Sequence, residues 1–310
     1  MQYLGEIISL AVAFLWTGAA LSSEFVSKRW GVFVSNVWRM LIATSFIAVL
    51  CWFTLGAPYP VYAGGRAWFW LALSGVVGYA MGDYCLFKCY ILIGSLYGQL
   101  FMTLAPAATA FAAWFMLGQH LTPQNILAMT ITLSGIALSI LGRGKEHRLA
   151  LKLPWQGVLF AIGAGVGQGV GLVLSKIGLD YYEHDVPSAI LPSVVNVLPF
   201  SANMIRCIAG FFCFLLIMWM HQGFSDLKKS STDARGFLYV VLAVLFGPFV
   251  GVGLSLMAVQ YTAAGIASTL MALTPIIIIL PSHWLFGTPV TAKGVLGALI
   301  SCVGVSLFFL

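Results

Sequence analysis

Leu104-Ala105-Pro106-Ala107-Ala108-Thr109-Ala110-Phe111-Ala112-Ala113-Trp114-Phe115-Met116-Leu117-Gly118 is met again 169 positions on, as Leu273-Thr274-Pro275 running through Trp284-Leu285-Phe286-Gly287. Leu121-Thr122 then falls on Val290-Thr291, Gly82 on Gly251 and Gly135 on Gly304, all without a gap. Upstream, Asn36-Val37-Trp38-Arg39 falls on Asn203-Met204-Ile205-Arg206 at an offset of 167, and Ser27-Lys28 on Ser175-Lys176 at 148. The second half of the chain thus repeats the first. A duplicated membrane unit is how many carriers build two half-channels around one central site, so transport leads the functional readings.

Composition fixes the solvent. Apolar residues make up 61% of the 310 and charged residues only 8%, with a mean hydropathy of +0.99. A soluble globule carries about 25% charged residues, so this chain is built for a bilayer. Met1 to Glu6 has no basic n-region, and the first apolar stretch has no small-residue cleavage site. It therefore reads as a transmembrane helix and not as a signal peptide. The net charge of +6 is spread over loops at helix ends, which argues for orientation and anchoring and against a nucleic-acid partner. The six Cys have no paired-ligand spacing and read as packing residues, with no metal site.

A span needs about 20 apolar residues, and ten segments qualify: 3–24, 34–54, 67–91, 96–117, 124–142, 155–176, 202–220, 236–260, 266–286 and 293–310. Five spans per repeat is odd, so the second unit enters from the opposite side, and the two are inverted with respect to each other. The expected fold is an all-α integral membrane protein of ten transmembrane helices in two inverted five-helix repeats, 1–145 and 153–310. The change of offset exposes an insertion at 180–201, carrying Pro187, Pro192 and Pro199, which reads as a lid or a decorated loop. Lys and Arg divide twelve to three between the side opposite the termini and the side bearing them. On the positive-inside rule this places both termini outside.

The segment Ala105 to Gln119 with Leu121-Thr122, and its copy from Thr274 to Thr291, resemble the EamA repeat of the drug/metabolite transporter superfamily. Arg39 and Arg206 resemble its recurrent arginine near the start of the second helix; Phe14-Leu15-Trp16 with Lys28 resembles its first. The resemblance implies a ten-helix secondary carrier, often an exporter of amino acids, metabolites or drugs, with a central cavity open to one side at a time. It also implies cytoplasmic termini, against the Lys/Arg count. The acidic residue usual after the Leu-Gly of the fourth helix is replaced by Gln119 and Thr288.

Ionisable groups inside spans carry the remaining signal. Asp83 lies roughly 13 Å deep at 1.5 Å per residue, where an unpaired carboxylate costs about 2.5–3.5 kcal/mol. It must face protein or water, and is the candidate proton-coupling residue; the bland reading is a structural Asp bonded to a neighbouring helix. Glu24 and Lys28 share a helix face, with Arg39 close enough to compete for the acid. Their counterparts are Leu172, Lys176 and Arg206, two cations without an acid, which either meet an anionic substrate group or snorkel to headgroups. Trp16, Tyr79, Tyr97, Gln99, Ser268 and Thr269 are amphipathic groups inside spans that would line a cavity or simply pack. Pro106 and Pro275 each remove a backbone hydrogen bond, freeing carbonyls for a pathway. The glycine run 163, 165, 167, 169, 171 permits close helix contact.

Catalytic signatures are missing: Gly142-x-Gly144-Lys145 lacks phosphate-loop spacing, and there is no His-Glu-x-x-His or Gly-x-Ser-x-Gly. The expectation is a non-enzymatic, cofactor-free secondary carrier of small organic metabolites, amino-acid-like solutes first. It would sit in a bacterial inner membrane, with protons as a possible second partner, as a monomer or homodimer. Drug or sugar-phosphate exchange on the same scaffold, and a membrane-embedded lipid-handling protein, are the alternatives.

Overall fold

The computed structural model describes residues 3–141, 154–220, 224–277 and 292–308. Helices α1 (Leu4–Trp30) and α2 (Val32–Leu55) are joined by one residue, Gly31, whose φ of 78° only a glycine adopts cheaply. α3 (Gly65–Ser74) runs through a π-helical stretch, Gly75–Asp83, into α4 (Tyr84–Phe101). A φ of 81° at Gly94 breaks α4 where the third span should end. Next come α5 (Leu104–Leu117), α6 (Pro123–Leu141), α7 (Trp155–Asp185), α8 (Leu191–Val194) and α9 (Leu198–Met220). The chain closes with α10 (Phe224–Ser230), α11 (Ala234–Val244), a π-helical stretch Leu245–Phe249, α12 (Val250–Tyr261), α13 (Ala264–Met271), α14 (Thr274–Ile277) and α15 (Ala292–Ser306). Among the described residues six helical runs are long and apolar enough to cross a membrane, and four shorter apolar helices accompany them.

Repeat-related irregularities mark the interior. The two π-helical stretches overlap when the second is shifted back by the same 169 positions, and the helix breaks at Met102–Thr103 and Ala272–Leu273 do too. The fourth span is therefore not the single helix 96–117 of the sequence reading. Pro106 and Pro275 sit in the first turn of a new helix, where a missing N–H breaks no internal bond. The freed carbonyl expected of each proline is not produced this way.

The repeats interlock. α1 packs against α11 to α14, while α7 packs against α3 to α5, so each repeat's first helix lies in the other repeat. α2 pairs with α9, and α6 with α15. At the second crossing a Cβ on Gly135 would lie 2.5 Å from the Ser301 nitrogen, and one on Gly304 would lie 2.5 Å from that of Thr132. With lipid as apolar as any side chain, such backbone approach is what holds membrane helices together. The glycine run of α7 divides its work: Gly163, Gly167 and Gly171 face Cys85, Gly82 and Gly78, while Gly165 and Gly169 face Phe101 and Ala105.

The insertion at 180–201 is mostly helix, not loop. Its first turns extend α7 to Asp185, whose carboxylate accepts the Gly64 N–H at 2.9 Å, and α8 follows. Tyr182, Val186, Val194 and Leu198 are buried in the main apolar cluster. A segment tied down by four core side chains is packing, and does not act as a free lid.

Candidate functional site

Two contiguous chambers, about 90 and 60 Å³, lie between the repeats and share Trp16, Gln99, Met102, Gln168 and Val252 as walls. Arg39, Tyr79 and Asp83 line the first; Arg206, Ser255, Ser268 and Pro275 line the second. Trp16 reaches both because α1 crosses into the opposite repeat.

Asp83 ends the first π-helical stretch and is buried. The Arg39 guanidinium donates to Asp83 Oδ2 at 2.9 Å, and Gln168 Nε2 donates to Oδ1 at 2.6 Å. Arg39 also donates to Asn36 Oδ1 at 2.7 Å and lies 4.7 Å from the Phe87 ring centroid. The wide π turn and the Gly82–Gly167 contact let Gln168 reach the carboxylate. A buried pair needs its remaining lone pairs satisfied, and Gln168 supplies that.

The second chamber repeats the cation without the acid. Arg206, 4% exposed, donates from Nε to Ser74 Oγ at 2.9 Å and from Nη1 to Asn203 Oδ1 at 3.4 Å. Its guanidinium lies 4.7 Å from the Tyr79 ring centroid, and Tyr79 donates to Asn203 Oδ1 at 2.7 Å. Asn203 Nδ2 donates to the Pro248 carbonyl inside the second π-helical stretch. Among the described residues Arg206 forms no ion pair.

Other sequence candidates separate clearly. Gln99 lines both chambers and donates to the Tyr90 hydroxyl at 2.6 Å. Ser268 lines the second chamber, 3.3 Å from Thr109 Oγ1. Thr269 is fully buried and donates to the Gly265 carbonyl, away from the chambers. Glu24 pairs with Lys28 at 2.5 Å, and Arg39 takes Asp83 in its place, because α2 carries it inward towards α4. Lys176 is not an acid-less cation: Asp180, one turn on, pairs with it at 2.6 Å. The side chain of Tyr97, and the whole of His283, lie outside the described residues.

Gln168, Ser74 and Asn36 were missed in the sequence reading as site residues. Gln168 had a signal: it is the one amide in a stretch of glycines and aliphatics that must touch two neighbours. Ser74 had none, since its role depends on a partner 132 positions away.

Comparison with known proteins agrees with this architecture. The model of the EamA-like transporter family matches twice, over residues 3–141 and 155–310. A solved structure, described only as a crystal structure of a protein, superposes with a TM-score of 0.69 at 16% identity, covering 99% of this chain and 97% of the other. At that identity the likeness is one of fold. No curated protein sequence matches. Two complete family matches, one on each side of a shared cavity, leave one assignment: the chain belongs to the EamA-like transporter family.

Proposed function

We propose that the protein is a secondary-active exporter of small organic metabolites, amino-acid-like solutes first, working by alternating access. Its ten spans form two inverted five-helix repeats, 1–145 and 153–310, of which 180–201 belongs to the second. The observation that carries this is the pair of chambers walled by both repeats, with two buried arginines and a buried carboxylate facing them. Ionisable groups at that depth are costly and mark a pathway when they face a cavity.

Asp83 is the proton-coupling residue in this reading. Protonation removes the charge that holds Arg39 and Gln168 together and loosens the contact between α2, the π-helical stretch Gly75–Asp83 and α7. Trp16, Tyr79, Gln99 and Ser268 shape the solute site, with Arg206 as its cation and Arg39 held beside it by Asp83. Glu24–Lys28 and Lys176–Asp180 are the gating candidates, the two lysines being repeat equivalents.

The test is untargeted mass spectrometry of medium and cytosol from cells with the gene deleted, restored, or restored as Asp83→Asn. A metabolite that accumulates inside the deletion strain and outside the restored one supports export. If the Asp83→Asn strain then matches the deletion strain while the protein remains folded, coupling through that carboxyl is supported. Identical metabolite profiles in all strains count against export.

A further inference from the structure

The two chambers carry three buried charges, and their arrangement limits what fits. Arg39 is neutralised by Asp83 at 2.9 Å, and both oxygens of that carboxylate are engaged, the second by Gln168. Among the described residues Arg206 is held only by neutral partners, the Ser74 hydroxyl, the Asn203 amide oxygen and the Tyr79 ring. The built-in charge facing the cavity is therefore one positive unit, located at Arg206. The same chamber is lined by apolar Leu172, Met271, Ala272 and Met102 and by the uncharged polar groups of Gln99, Gln168, Ser255, Ser268 and Thr274.

We infer that Arg206 is the subsite for a single carboxylate on the solute, and that Asp83 enforces the limit of one by occupying Arg39. This rests on the carrier reading above and names its substrate class: monoanions, and zwitterions presenting one carboxylate, with a short apolar body. A dianion such as a dicarboxylate or phosphate ester needs two cations in a dry site, since desolvating a charge is repaid only by a close partner. Here the second cation is already taken. The sugar-phosphate alternative fails on that charge count. Asp83 is thus a specificity-determining residue as well as a coupling candidate.

The test uses three four-carbon probes on the purified full-length protein in lipid nanodiscs at about pH 7.5, where carboxylates are ionised: butyrate, its neutral amide butyramide, and the dianion succinate. Binding is read by isothermal titration, and folding by the ligand-free thermal transition. Wild type should bind butyrate roughly 10- to 100-fold more tightly than butyramide or succinate, the span of a charge-assisted hydrogen bond. Arg206→Gln should lose that preference. Asp83→Asn should gain succinate binding by about 10-fold or more, and Asp83→Asn/Arg39→Gln should not, which separates a freed Arg39 from a general loosening. The gain in Asp83→Asn keeps the assignment testable even if Arg206→Gln misfolds. Equal binding of butyramide and butyrate, or of succinate and butyrate, by wild type overturns the assignment and leaves the carrier reading standing. Binding of none of the three overturns it as well, while export is still decided by the metabolite profiles.

Discussion

Arg39 and Arg206 begin from the same local sequence and end in different electrostatic states. Each follows an Asn by three residues, donates to that Asn, and lies 4.7 Å from an aromatic centroid. The difference is made at one repeat-equivalent pair: Asp83 in the first repeat, Val252 in the second. Both of those residues line the cavity. A symmetric scaffold thus holds an asymmetric charge pattern, and one carboxylate decides which arginine is ion-paired and which, among the described residues, is not.

The most damaging way to break this contrast is to leave Arg39 alone. Asp83→Val should destabilise the protein by about 3–5 kcal/mol, the cost of stranding one member of a buried pair. Arg39→Gln should do the same from the other side. The double variant should recover most of the loss, because a pair of neutral groups strands no charge. Denaturation of the purified protein in mild detergent reads all three. If Asp83→Val melts like wild type, the pair is solvated and the contrast with Arg206 is lost.

The α6–α15 crossing offers a symmetric control. Gly135→Leu and Gly304→Leu each drive a side chain into backbone 2.5 Å from the new Cβ, so each should cost about 1–3 kcal/mol. Here the two repeats should respond alike, whereas Arg39 and Arg206 should not. A large difference between the two glycine variants would show that the repeats differ in packing as well as charge.

The contrast can also be erased by building the missing acid. Val252→Asp places a carboxylate in the chamber that Arg206 lines. Its effect on stability should stay within about 1 kcal/mol, because ion-pair attraction and desolvation nearly cancel. Butyrate binding should weaken by about 10-fold, since the new carboxylate competes for the same guanidinium. Unchanged binding would place the anion elsewhere.

Apolar length and the internal repeat were enough to read an all-helical membrane protein and to point to Arg39, Asp83 and Arg206, but not to find the break inside the expected fourth span or the helix in 180–201. They were enough because apolar length and repeat offset are properties of local sequence. What they missed was pairing. Glu24 and Arg39 are near in sequence, yet α2 turns Arg39 towards a carboxylate 44 positions on. Lys176 was judged by its repeat alignment, and the alignment pointed to Leu172 while the true partner lay one turn in the other direction. Gln168 was hidden among glycines whose meaning is contact between helices, which no single helix reveals. The proline signals were real, but they mark where helices restart, not where one is bent.

The exposed counterpart of the Arg39–Asp83 pair lies at the end of α1, where Arg29 and Trp30 donate to Asp233, the N-cap of α11. The hydrogen bond from Arg29, followed by that from Trp30, holds the Asp233 carboxyl well below the usual carboxylate range. Its folded pKa is depressed, so its contribution is fully present above the unfolded value near about 4 and fades only as pH falls below that. Asp233→Asn should therefore lower the melting temperature slightly at neutral pH, and the difference from wild type should shrink towards pH 3. Added salt should shrink it too, because water and ions reach this pair. The Asp83→Val deficit should be insensitive to salt over the same range, since no ions enter the buried pair. Equal salt sensitivity at both sites would mean that Asp83 and Arg39 are open to solvent, and the single uncompensated charge at Arg206 would lose its special standing.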